Sequence, residues 1–260
     1  MNEANPAGLS QSLERGLAVL RAFTPDRPTL GISELARGLA LTRSTTHRYV
    51  ATLATLGYLE QVGPTRKYRL GPRVLDLGFS VLASLDLREV AAPHLRRLTD
   101  STGHTSNLAI RDDTDVILID RVRGRPGRYH HLEFTLHVGS RIPAYCSATG
   151  KALLAFLPRP DLEQVLERID LIQRGPRTLT DKRALLAELD QVRRTGIAVN
   201  DEELESALRS IAAPVRARSG EVVAAVNVAV PWSPAAMSEL VSRLGPTVRA
   251  TANEIAARVI

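Results

Sequence analysis

The heptapeptide Thr42-Arg43-Ser44-Thr45-Thr46-His47-Arg48 places four hydroxyls, two guanidiniums and an imidazole on seven consecutive residues. Arg66 and Lys67 add two cations just after a Gly63-Pro64 pair. A guanidinium can donate two hydrogen bonds to a guanine edge, while hydroxyls and the free N–H groups of a helix start hold phosphate oxygens. A second cluster, Cys146-Ser147-Ala148-Thr149, opens another candidate helix with small residues and hydroxyls. Such a start suits a carboxylate. Cys146 is the only cysteine. It could act as a nucleophile only with a base such as His130 or His131 and a third group to orient that base. No such group is visible, so a cysteine hydrolase is the weaker reading and no enzyme is expected. His94, His104, His130, His131 and His137 lack the paired spacing of a metal site. Neither a metal nor a cofactor is expected.

The elements that must carry these groups follow from periodicity. A helix is expected over Ser12–Phe23, with Leu13, Gly16, Leu17 and Leu20 spaced along one face. Ser33 is placed as the cap of a short second helix ending at Gly38. Thr42 caps a third, which Gly57 stops, and there Tyr49, Val50, Leu53 and Leu56 should turn inward. Two short strands, Tyr58–Gln61 and Lys67–Leu70, flank the Gly-Pro tip and form a basic wing. Helix, turn, helix and wing in this order describe a module that sets one helix in the major groove of DNA.

After the wing the pattern is helical through residue 102, with Asp86 and Glu89 spaced as a capping box. Strands follow at Thr105–Arg111, Asp115–Val122 and Tyr129–Leu136, then the helix capped by Ser147. Leu162–Ile169 and Asp181–Thr195, the latter capped by Thr180, read as amphipathic helices. Ile197–Asn200, Leu204–Val215 and Glu221–Val230 read as strands. Along the last, a valine face alternates with Val223, Ala225, Asn227 and Ala229, a small face suited to a ligand cavity or a close helix. Ser233-Pro234 and Pro246 are each expected to open a terminal helix.

At 260 residues, with 44% hydrophobic and 24% charged content, two ordinary domains fit. Residues 1–72 carry nine bases against five acids, net +4 of the overall +6. That bias fits a small nucleic-acid-binding head on a nearly neutral body. One cysteine, no run of ~20 apolar residues and no secretion signal together imply a reducing, cytoplasmic setting without a membrane.

These stretches resemble the IclR family of bacterial transcription regulators. The resemblance rests on SLERGLAVLRAF, ISELARGLALTRSTTHRYVATLATLGYLEQ, YRLGPRVLDLG, RIPAYCSATGKALLAFLP, GIAVNDEELESALRSIAAPV and VVAAVNVAVP, in that order. It is most like the branch that regulates protocatechuate and para-hydroxybenzoate (β-ketoadipate pathway) genes. The resemblance implies an α+β chain. Its parts are a flexible N-terminus (1–10), a winged helix-turn-helix (11–72), a linker helix (73–87) and a GAF/PAS-like effector-binding domain (88–260). The implied partners are a double-stranded DNA operator, a small organic acid effector and further copies of the chain, as homodimer or homotetramer. On this reading DNA contacts fall on Thr42, Arg43, Ser44, Thr45, Thr46, His47, Arg48, Arg66 and Lys67. Effector contacts fall on Cys146, Ser147, Ala148, Thr149, Asn200, Asp201, Ser210, Asn227 and Ala229. The rival to effector control is a body that only assembles oligomers.

Overall fold

The computed structural model describes residues 10–83, 86–124, 136–231 and 235–259. The expected flexible N-terminus, most of the Tyr129–Leu136 strand, His130, His131 and the Ser233-Pro234 helix start lie outside the described residues. The chain divides into two compact units between residues 84 and 85.

In the first unit α1 (Gln11–Arg21), β1 (Leu30–Gly31), α2 (Ile32–Gly38), α3 (Arg43–Thr55), β2 (Leu59–Val62), β3 (Lys67–Leu70) and α4 (Arg73–Ala83) follow in order. The hairpin β2–β3 carries a third strand on its far side, because β1 pairs with β3 through Leu30 opposite Tyr68 and Gly31 opposite Lys67. That strand corrects the assignment of Ser33 as a helix cap. Gly31 leaves β1 in extended geometry directly into α2, and its N–H donates to Glu34 Oε2 at 2.7 Å. The Gly31 bond, then Lys67, holds the Glu34 carboxyl below the usual carboxylate range. Val19, Phe23, Leu30, Leu35, Val50 and Leu59 form the core. Leu56, expected inside, is 47% exposed, and Leu13 and Leu17 are 64% and 45% exposed because Val19 and Phe23 turn a neighbouring face of that segment inward instead.

The second unit holds α5 (Asp86–Thr102), β4 (Thr105–Asp112), β5 (Asp115–Val122), β6 (Arg141–Pro143), α6 (Ala148–Leu154), α7 (Arg159–Glu167) and α8 (Lys182–Thr195). It continues with β7 (Ala198–Asp201), β8 (Leu208–Arg216), β9 (Val222–Pro231) and α9 (Met237–Ala256). The six strands form one antiparallel sheet in the order β6-β5-β4-β9-β8-β7. Side chains alternate between its faces. Leu108, Ile211, Val226 and Val228 are buried on the face covered by α5 and α9. Ala109, Ala198, Ala212 and Ala225 lie on the other face, under α6 with α7 and α8 behind it. The small face of β9 therefore admits both a helix and a cavity.

Three boundaries differ from expectation. Asp181, not Thr180, caps α8, its side chain accepting from Ala184 N at 2.9 Å. The strand expected from Leu204 begins at Leu208, since Glu202 and Ala207 adopt left-handed backbone (φ 60° and 61°) and bracket a turn. Pro246 sits inside the continuous α9 rather than opening a new helix. Its missing N–H removes one helical bond, but Leu240, Leu244, Val248, Ala252 and Ile255 stay buried in one stripe along the helix.

Candidate functional site

The first candidate surface is the start of α3. Thr42 adopts extended geometry, and its Oγ1 accepts from Thr45 N at 3.1 Å and donates to Thr45 Oγ1 at 2.8 Å. The cap locks the first turn while Arg43, Ser44, His47 and Arg48 remain exposed. Thr46 departs from the expectation. It is fully buried and donates its hydroxyl to the Thr42 carbonyl at 3.0 Å, so it braces the helix from inside and cannot touch DNA. On the wing, residues Gly63–Thr65 form one 3-10 turn and Arg66 takes left-handed backbone (φ 52°). Lys67 is partly committed, with Nζ 3.6 Å from Glu34 Oε2. Among the described residues Arg43, Arg48 and Arg66 form no ion pair; all three are exposed, and the Arg48 guanidinium also lies over the Tyr49 ring at 5.8 Å.

The second candidate is a cavity of about 30 Å³ between α6 and the sheet. Ser147 caps α6, its Oγ accepting from Gly150 N at 3.1 Å. Gly150 is required there, because a Cβ would stand 2.1 Å from the Ala144 carbonyl oxygen. The close approach brings Ser147, Ala148 and Thr149 onto the cavity wall with Asn200, Ser210, Asn227 and Ala229. These residues, distant in the chain, meet because Asn200 pairs with Ser210 and Ser210 with Ala229 across β7, β8 and β9.

Two expected members are elsewhere. Cys146 is buried in the α6-side core, off the cavity wall, and its thiol points to the Pro143 carbonyl at 3.9 Å. Asp201 follows Asn200 on β7 and therefore points to the other face, where it pairs with Arg177 and with Arg209 Nε, the latter at 2.7 Å. Burial pushes the Cys146 thiol up to about 11, so it stays protonated at neutral pH and is a poor nucleophile.

Asn107, Arg121, Leu118, Leu136, Ile142, Leu204 and Leu208 also line the cavity and lie outside the expected set. The turn alone would set Asn107 opposite Asp120; a β-bulge between Leu108 and Ala109 shifts the register by one and brings Arg121 opposite Asn107 instead, which the sequence does not signal. Arg121 Nη1 donates to Asn107 Oδ1 at 2.9 Å, and Asn107 Nδ2 donates to Asn227 Oδ1 at 2.8 Å. Asn200 Oδ1 accepts from Glu203 N at 2.8 Å. None of the described lining residues is acidic, and one is a guanidinium. The wall thus combines apolar side chains such as Leu118, Ile142 and Leu208 with the hydrogen-bond donors of the asparagines, Arg121 and the hydroxyls.

Residues 12–63 match the family model "IclR helix-turn-helix domain", and residues 79–257 match "Bacterial transcriptional regulator IclR C-terminal". The chain is 38% identical to the Pca regulon regulatory protein of Pseudomonas putida, covering 94% of this chain and 82% of that one. It is 32% identical to the p-hydroxybenzoate hydroxylase transcriptional activator of Acinetobacter baylyi, covering 94% and 89%. Its fold is similar to the crystal structure of an IclR homolog complexed with 4-hydroxybenzoate from Microbacterium hydrocarbonoxydans. There the TM-score is 0.79 and the identity 30%, over 95% of this chain and 98% of that one.

Proposed function

This chain belongs to the IclR family of bacterial transcriptional regulators, and we propose that a small aromatic carboxylic acid controls its binding to a DNA operator. The single observation that carries this reading is the cavity, whose wall combines apolar side chains with hydrogen-bond donors and holds no acidic side chain among its described residues. The regulators of aromatic catabolism among its relatives support the aromatic class.

At about 30 Å³ the cavity has room for about two waters, less than a benzoate needs. Binding therefore requires the cavity to widen. An effector that fits only the widened body binds two arrangements with different affinity, which is the condition for shifting their populations. The change reaches the DNA-reading heads through residues 73–87, and operator affinity follows from the spacing of two heads on one palindrome.

Pairing of heads requires a second copy. Leu13, Leu17, Leu56 and Leu77, each at least 45% exposed, line one apolar groove of the first unit, and a second copy of the chain is its natural cover. The setting is cytoplasmic, where operator and catabolic intermediate meet.

The test is isothermal titration of the full chain with 4-hydroxybenzoate and protocatechuate, paired with mobility shifts on the adjacent promoter with and without each acid. Saturable binding together with a changed operator affinity supports effector control. The other reading is a body that only assembles oligomers. No binding by any acid, with operator binding intact, would establish it.

A further inference from the structure

We propose that Arg121 is a positioning residue that fixes the hydrogen-bonding polarity of the cavity, so that Asn227 shows the effector its amide N–H groups and not its carbonyl. This rests on the reading of the cavity as an effector site and specifies the chemistry that site accepts.

Strand register sets the row. Arg121 on β5 stands opposite Asn107 on β4, and Asn107 stands opposite Asn227 on β9, so the three side chains lie side by side across three adjacent strands. A guanidinium has five donors and no acceptor. The Asn107 group that faces it must therefore be the carbonyl, and Arg121 Nη1 donates to Asn107 Oδ1 at 2.9 Å. That leaves the Asn107 amide nitrogen facing Asn227, where it must meet an acceptor. Asn107 Nδ2 accordingly donates to Asn227 Oδ1 at 2.8 Å. An asparagine amide can be flipped with little change of shape, but here either flip would set donor against donor. Both asparagines are buried, 3% and 8% exposed, so water is poorly placed to compensate. The charge at one end of the row thus decides which atom is presented at the other.

Asn200 gives the same result by an independent route. Its Oδ1 is engaged by Glu203 N at 2.8 Å, inside the turn that follows β7. Both asparagines on the effector wall therefore direct their carbonyls to protein donors and have their N–H groups left for a ligand. With no acidic side chain among the described lining residues, the wall suits a group that only accepts. A carboxylate meets that condition. An isosteric carboxamide does not, because one of its two ends is a donor.

Isothermal titration of the full chain with 4-hydroxybenzoate and 4-hydroxybenzamide tests this. Wild type is expected to bind the carboxylate roughly tenfold to a hundredfold more tightly, the range for a hydrogen bond to a charged group. Asn107→Asp keeps the shape and the Arg121 contact but removes the donor toward Asn227. Asn227 should then rotate to donate its N–H to the introduced carboxylate and turn its carbonyl to the cavity, shrinking or reversing the ratio. Asn107→Leu, which leaves the Arg121 charge in place and frees Asn227 to flip, should shrink the ratio and provides the same test should the first variant fold poorly. A structural role alone would weaken both ligands in parallel. A wild-type preference for the amide, or an unchanged ratio in a variant that still binds, would overturn the relay. Failure of wild type to bind either probe would overturn the effector-site reading and this inference with it.

Discussion

Lys151 Nζ lies 2.5 Å from Glu203 Oε1, with both side chains buried, and so ties α6 to the turn between β7 and β8. Neither residue lines the cavity, but each is close in sequence to a residue that does, Lys151 two positions after Thr149 and Glu203 next to Leu204. Lys151 Nζ also lies 3.3 Å from the partly exposed Glu188 Oε1, so removing Lys151 strands the buried Glu203 carboxylate, while removing Glu203 leaves Lys151 a second partner. Lys151→Met is expected to destabilise the second unit by about 3–5 kcal/mol, and Lys151→Met with Glu203→Leu by much less than the sum of the two singles. Urea unfolding of both singles and the double is the measurement, and additive losses would sink the idea.

The same pair has a pH signature. Burial pushes the Glu203 carboxyl above its ordinary value of 4.5, with Lys151 opposing the rise. The folded chain then keeps this proton where the unfolded chain has lost it. The protonated form contributes stability that is fully present below the unfolded value and lost as pH rises through the raised one. Glu203→Gln should flatten that part of the stability profile, and an unaltered profile across this window would refute the assignment.

Arg43 and Arg48 stand exposed on α3 without ion pairs among the described residues. Arg43→Ala and Arg48→Ala should each weaken operator binding by about 1–3 kcal/mol if the side chain reads a base, and leave effector binding untouched. Normal operator binding by both variants in a mobility-shift assay would mean that α3 is not the reading helix.

Arg66 and Lys67 are expected to act on the DNA backbone. Each alanine variant should reduce the slope of log affinity against log salt by roughly 0.9 per lost phosphate contact. Arg66→Gly separates charge from shape, since φ 52° suits glycine. It should show the same reduced salt slope and keep the fold, as read by circular dichroism alongside salt titrations.

Cys146 supplies a check on the enzyme alternative. With its thiol pushed up to about 11 and buried, alkylation by iodoacetamide at pH 8 should be much slower in the folded chain than after denaturation. Fast native labelling would contradict the burial argument, and esterase turnover lost in Cys146→Ala would revive a hydrolase.

Much of the local structure was legible in the chain itself. Thr42, Ser147, Gly57 and Gly196 mark helix ends through groups that only satisfy or relax the backbone nearby, so their spacing suffices to place them. The alternation along β9 likewise announced a small face holding Asn227 and Ala229. Tertiary structure decided what alternation cannot say, namely which face of a strand or helix finds a partner. Thr46 turned inward because the core took that side of α3, and Asp201 turned away because β7 gave its cavity face to Asn200. Leu13 and Leu17 stayed outside because the interior of the small unit was filled by Val19 and Phe23. Arg121 and Asn107 entered the cavity wall only through the register of β4, β5 and β9, the last of these far along the chain from the other two. Hydrogen-bond polarity across such a row depends on which side chains end up adjacent, and adjacency is a property of the assembled sheet.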